Sequence, residues 1–172
     1  MKIVSTFILL AFLTSPNRST NLIHTSIKAS ITSPCGNTPE LNKKIIDFVN
    51  SKINKKVGRG ECWDLAAEAL NSTGAIWDKN FKFGKEIDIK KDCVFPGDIV
   101  QFTDVAIEYT LGNRTYTETM AQHTAIIFEV KGSGDYTIAD QNTTAHGKKV
   151  GLGPLKLKNI STGKTQVYRP TS

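Results

Sequence analysis

The chain has 172 residues, 39% of them hydrophobic and 22% charged, with a formal net charge of +6. That length allows one domain with a substantial core and is too short for two comfortable ones. The composition is that of a globular protein with no repeat at a fixed period, and the lysines form no dense stripe interleaved with aromatics, which excludes a nucleic-acid-binding reading.

The first residues, "MKIVSTFILLAFLTS", set Lys2 ahead of an apolar run from Ile3 to Leu13. The run is shorter than the ~20 residues a membrane span needs, and it suits the apolar region of a secretory signal better than a retained anchor. Residues 1–15 are therefore expected to be a signal peptide, 16–37 a polar tether rich in Ser, Thr, Asn and Pro, and 38–172 the folded domain. The expected location is secreted or periplasmic, with a mature charge close to +5 once Lys2 is removed. Such a charge reads either as a solvated basic surface or as attraction to an anionic cell-surface polymer.

"TPELNKKIIDFVNSKIN" predicts a first helix, with Thr38 at the N-cap and Pro39 at the first helical position. "GRGECWDLAAEALNSTG" predicts a second, entered through Gly58 and Gly60 and left at Gly74. Strand character follows. "DIVQFTDVAIEYT" and "RTYTETM" flank a turn at Gly112 and Asn113, "HTAIIFEV" and "DYTIAD" flank "KGSG", and "KTQVYRP" closes the chain. Helices first and strands later predict an α+β domain, with N-terminal helices packed on one antiparallel sheet.

Three cysteines are an odd number for an exported chain. Pairing of Cys35 with Cys93 is the preferred arrangement, and it would leave Cys62 free; closing so long a loop would contribute roughly 3–4 kcal/mol. Cys62 opens a helix, where unpaired N–H groups and the positive end of the macrodipole favour a thiolate. Gly58 and Gly60 would let the backbone bend and a substrate approach. His123 opens the strand "HTAIIFEV". Asp140 and Asn142 lie two apart at the end of the next strand, on one face, so the hairpin brings one or the other near His123. Trp63 reads as core or pocket wall, and His146 as surface.

No cofactor is expected. "STGKT" lacks the glycine that a phosphate-binding loop needs at position 158, which is Lys158. Cys62, His123, Asp140 and His146 lack the spacing of a zinc site, so no metal is expected. Asn-x-Ser/Thr sequons include Asn71 and Asn142, and a glycan on Asn142 would cover the expected site.

"GECWDLA", "FPGDIVQF", "QHTAIIFEV" and "IADQNT", in that order, resemble the CHAP family of cysteine- and histidine-dependent amidohydrolases and peptidases, within the NlpC/P60 papain-like superfamily. The resemblance covers roughly residues 40–170. A closer likeness runs to the cysteine-protease-fold domain of fungal actin-patch proteins, on "GECW", "HTAI" and the terminal "YRP". The resemblance implies a papain-like fold, Cys62 as nucleophile, His123 as general base and then acid, and Asp140 or Asn142 as the group that holds the imidazole. It implies hydrolysis of amide bonds through a thioester, with peptidoglycan peptides or another peptide as substrate. It also admits an idle papain-like module that binds a peptide or glycan. Papain relatives carry an amide or phenol side chain shortly before the cysteine to hold the oxyanion; here those positions are Lys55, Lys56, Val57, Gly58 and Arg59.

Overall fold

The computed structural model describes residues 35–172; the expected signal peptide and most of the expected tether lie outside the described residues. Two helices come first, α1 (Glu40–Lys52) and α2 (Cys62–Thr73). α1 buries Ile45 and Val49, one turn apart. Its cap position is Pro39, in extended backbone (ψ 148°) with no side-chain cap, so the helix starts one residue later than a Thr38 cap would place it. α2 ends on Gly74 in the left-handed conformation, as its sequence predicts.

Six strands follow: β1 (Lys85–Ile87), β2 (Ile99–Leu111), β3 (Arg114–Gly132), β4 (Asp135–Asp140), β5 (Gly151–Lys156) and β6 (Ile160–Arg169). They form one sheet in the order β1-β6-β2-β3-β4-β5 with every neighbouring pair antiparallel. The domain is α+β with the helices on the sheet, as expected. "RTYTETM" and "HTAIIFEV" are not separate strands: Met120 to Gln122 stay paired to Val105 and Thr103, so both segments belong to one 19-residue β3.

Alternate residues of the strands feed two cores. Ile99, Ile126, Ala139 and Tyr168 pack against Ile45, Val49, Leu65, Ala66 and Leu70 of the helices. Val100, Phe102, Ala125, Ile127, Ile138 and Val167 fill the other face. There the sheet curls on itself, so that β2 also touches β5, which is not its neighbour in the sheet. A sheet buried on both faces leaves its strand ends as the place where polar groups can gather, and the site stands there.

Cys35 and Cys93 form a disulfide with a Cα–Cα distance of 5.5 Å, and Cys62 is free, as the preferred pairing had it. The bridge fastens the start of the described chain to the loop before β2; its persistence is set by the redox poise of the compartment.

Candidate active site

Cys62 is the first residue of α2, so its N–H has no acceptor within the helix. The helix start is fixed by a reciprocal cap: Glu61 accepts from the Asp64 backbone, and Asp64 accepts from Glu61 N at 3.2 Å. The buried Asp64 carboxylate also takes Arg59 N at 2.8 Å and the Arg59 guanidinium at 3.0 Å. Burial pushes the Asp64 carboxyl up, but the Arg59 guanidinium and the two N–H groups outweigh it and hold it below the usual range.

The glycines of this turn bend the backbone as expected, but the room they leave is not a substrate's. Both have positive φ, 54° at Gly58 and 88° at Gly60. A Cβ on Gly58 would lie 2.9 Å from Asp64, and one on Gly60 would lie 2.8 Å from Lys148. They make room for the chain's own side chains rather than for a substrate.

His123 stands opposite Phe102 on β2, and the two rings stack at 6.1 Å. Its Nε2 lies 3.0 Å from Oδ2 of Asp140 at the end of β4, with both residues about 5% exposed. The imidazole also acts on the Cys62 thiol, each group favouring the charged form of the other. The backbone N–H groups of Trp63 and of Thr124, two residues beyond the Ile126–Ala139 pair that ends the β3–β4 ladder, also favour the sulfur's anion. Burial of Cys62 opposes its ionisation; the His123 hydrogen bond and charge, with the two N–H groups, outweigh burial and bring the thiol below its ordinary value. Burial likewise opposes charge on His123, but Asp140 and Cys62 push the imidazole up to about 10. Each group thus favours the charged form of the other, the thiolate beside the imidazolium.

The structure thus brings Cys62, His123 and Asp140 together. Asn142 stands elsewhere. Its backbone is left-handed (φ 63°), it is exposed, and its Nδ2 donates to Glu61 at 2.8 Å. His146 is half-buried rather than on the surface: a Cβ on Gly151 would meet its ring at 2.2 Å. With His123, Asp140 and apolar residues such as Phe102 and Ile138, it lines a cavity of about 30 Å³ behind the imidazole. Trp63 is half-buried, its Nε1 donating to Asn80 O at 2.7 Å and its ring 5.6 Å from that of Trp77.

Gln141 is the residue that sequence reasoning passed over, although "IADQNT" contains it. It is fully buried, and its side chain makes three bonds to the segment before the cysteine: Val57 N donates to Oε1 at 3.2 Å, and Nε2 donates to Val57 O at 3.0 Å and Glu61 O at 2.7 Å. The end of β4 therefore holds both halves of the pair, Asp140 on the imidazole and Gln141 on the cysteine turn. Gln141→Ala leaves the buried Val57 N–H without its acceptor and takes one of two donors from Val57 O and Glu61 O, which keep Gly60 N and Asp64 N, and is expected to cost about 1–3 kcal/mol. Urea unfolding measures it, and a loss below about 0.5 kcal/mol would mean that the turn is held by other contacts.

The AIM3/BBC1 cysteine proteinase-fold domain matches residues 39–172. Altered inheritance of mitochondria protein 3 of Debaryomyces hansenii is 26% identical over 152 residues, covering 78% of this chain and 16% of that protein, so the chain spans a small part of the relative's length. Among solved structures, Ly7917 aligns with a TM-score of 0.45 and 15% identity over 74% of this chain and 62% of its own. Ly7917 with the hydrolysing product of MDP aligns at 0.46 and 16%, over 75% and 63%. Of the two resemblances in the sequence, the family match carries the fungal cysteine-protease-fold domain and not CHAP specifically. It also corrects the expectation of a secreted or periplasmic protein: the matched relative is named for the inheritance of mitochondria, a process inside the cell.

Proposed function

From the chain's membership of the AIM3/BBC1 cysteine proteinase-fold family, we propose that the domain is a cysteine hydrolase of amide bonds in peptides. The observation that carries this reading is His123 set between the Cys62 thiol, whose anion it favours, and the buried Asp140 carboxylate, 3.0 Å from its Nε2. A thiolate at a helix start, beside an imidazolium anchored by a buried carboxylate, is poised for nucleophilic attack.

The Cys62 thiolate adds to the amide carbonyl carbon, and the carbonyl oxygen becomes an oxyanion. The N–H of Cys62, with no acceptor in its helix, is a donor placed for that charge. As the oxyanion collapses, the C–N bond breaks and the His123 imidazolium gives its proton to the leaving nitrogen, which leaves a thioester. The neutral imidazole then takes a proton from water, the resulting hydroxide adds to the thioester, and the C–S bond breaks. The products are a carboxylic acid and the restored thiolate–imidazolium pair. Asp140 holds the imidazole throughout and stabilises its charge.

The expectation of a peptidoglycan substrate came from the resemblance to CHAP together with export, and with export corrected the reading is kept to peptides. A second reading, an idle module that binds a peptide, is favoured by one observation. Two buried side-chain amides near the site, Gln101 and Gln141, donate to backbone carbonyls, Phe102 O in the first case and Val57 O and Glu61 O in the second. Cleavage of a mixed peptide library by the purified chain, read by mass spectrometry, separates the two readings. Hydrolysis abolished in Cys62→Ala supports the enzyme, with an expected loss of at least about 10³-fold. Capture of peptides by wild type and Cys62→Ala alike, with no new termini, supports the module and overturns the enzyme.

A further inference from the structure

Two stretches of chain border the cysteine turn. Residues 52–60 contain Lys52, Lys55, Lys56 and Arg59, residues 142–150 contain Lys148 and Lys149, and neither stretch contains a carboxylate. Backbone bonds lay them side by side: Asn54 N donates to Val150 O and Val150 N to Lys55 O, both at 2.9 Å. Gly60 sits between the stems of Lys56 and Lys148, since a Cβ there would come within 3.1 Å of both. All but the half-buried Lys52 are exposed.

Ordinary surfaces intersperse the two signs, and this one does not. Two carboxylates stand at the first turn of α2, and each is already matched: Glu61 by Lys148 at 2.9 Å and Asp64 by Arg59 at 3.0 Å. Lys52, Lys55, Lys56 and Lys149 have no ion pair among the described residues. Four positive charges are left over on the two stretches, and the positive end of α2 adds to them. Lys56 stands beside Gly60 of the cysteine turn, while Lys52 lies over the Phe48 ring and Lys55 Nζ donates to Ser51 O, both against α1.

We propose that these two stretches form a cationic rim at the mouth of the Cys62 site that receives an acidic polypeptide, so that the substrate is a peptide rich in Asp or Glu around the bond presented to the thiol. The proposal rests on the hydrolase reading for its placement and names the substrate class of that site. The rim's composition selects among polyanions. It has no Phe, Tyr or Trp on which bases would stack, and its Val57 and Val150 are buried, so it offers no exposed large apolar side chain to a lipid surface.

The test uses alkylation of Cys62 in the full chain by neutral iodoacetamide and by anionic iodoacetate. The ratio of the two rates reports the potential at the sulfur and is independent of how much thiolate is present. Lys56→Glu/Lys149→Glu is expected to lower the iodoacetate/iodoacetamide ratio about tenfold at low salt, an effect that high salt abolishes. An oligoglutamate peptide is expected to slow iodoacetamide labelling in the wild type and not in the variant, while an oligolysine peptide slows it in neither. An unchanged ratio together with no protection by oligoglutamate overturns the proposal, and so does equal protection by single-stranded DNA or by vesicles of anionic lipid. A wild-type iodoacetamide pH profile like that of a free thiol would sink the hydrolase reading instead, and it leaves the ratio and protection results intact.

Discussion

His123→Ala is expected to slow iodoacetamide labelling of Cys62 at pH 6 by about 10–100-fold. Burial of the sulfur opposes ionisation and is outweighed chiefly by the His123 hydrogen bond and charge. Without the imidazole, the N–H groups of Thr124 and Trp63, the weaker of the lowering causes, are left to face burial, which is larger than either. The thiol then rises toward the ordinary range of a free thiol, about 8.5, where under 1% is ionised at pH 6. A lowered thiol is also an intrinsically weaker nucleophile, which offsets part of the gain in thiolate and sets the lower end of the range. In the wild type the sign runs the other way at both ends. The lowered thiol extends reactivity into acid, and an imidazole pushed up to about 10 keeps the pair charged through neutral and mildly basic pH. Asp140→Asn keeps the shape and removes the anion that supports the imidazolium, so its profile should fall between wild type and His123→Ala. Labelling across pH 5–9, with the modified peptide identified by mass, checks all three chains. A wild-type profile that coincides with His123→Ala would mean that the two side chains do not act as a pair.

The parts of this site that were legible in the sequence are those whose spacing follows from regular elements. A cysteine at a helix start, a histidine near a hairpin and a carboxylate at the end of the next strand are placed by backbone geometry alone. The choice between Asp140 and Asn142 was not legible. Both were predicted on one face, but the chain turns left-handed at Asn142 and carries that side chain to Glu61. Gln141 was hidden for a related reason: its partners are backbone atoms of residues 84 and 80 positions away, which leave no local pattern. The glycines of "VGRGEC" were visible as a turn, yet only the structure shows that the side chains they admit are Asp64 and Lys148.

β1 and β5 were missed as strands because edge strands escape the usual signals. β5 reads "GLGPLK", with two glycines and a proline. It lies at one end of the sheet, where one side needs no ladder donors and proline is tolerated. Gly151 lies under the ring of His146, where a side chain would collide. The break expected between "RTYTETM" and "HTAIIFEV" has a similar origin: Met120 to Gln122 are exposed or half-buried on a hairpin arm, so their polarity reports solvent and not the end of a strand.

Asp98→Ala is expected to destabilise the domain by about 3–5 kcal/mol, the largest loss of stability among the single changes considered. The "GD" of "FPGDIVQF" and the "YRP" at the chain's end are among the motifs that marked the family, and neither does chemistry at the thiol. Asp98 is fully buried and accepts four bonds: Arg169 Nε at 2.7 Å and its guanidinium at 2.9 Å, Asn42 Nδ2 at 2.8 Å and Phe95 N at 2.8 Å. Arg169 also lies over the Phe95 ring at 4.6 Å and donates to the Cys93 carbonyl. One carboxylate thus ties α1, the loop entering β2 and the last strand together. Its removal leaves the Asn42 amide, already buried, and the Phe95 N–H short of an acceptor, and the guanidinium without its counter-charge. Arg169→Ala should cost a similar amount, since it strands a buried anion with only Asn42 and Phe95 as donors. The double variant should lose much less than the sum of the two, because the pair's mutual attraction is counted in each single change. Denaturant midpoints for the four chains give the coupling directly. Costs that simply add would mean that Asp98 and Arg169 are held by their neighbours and not by each other.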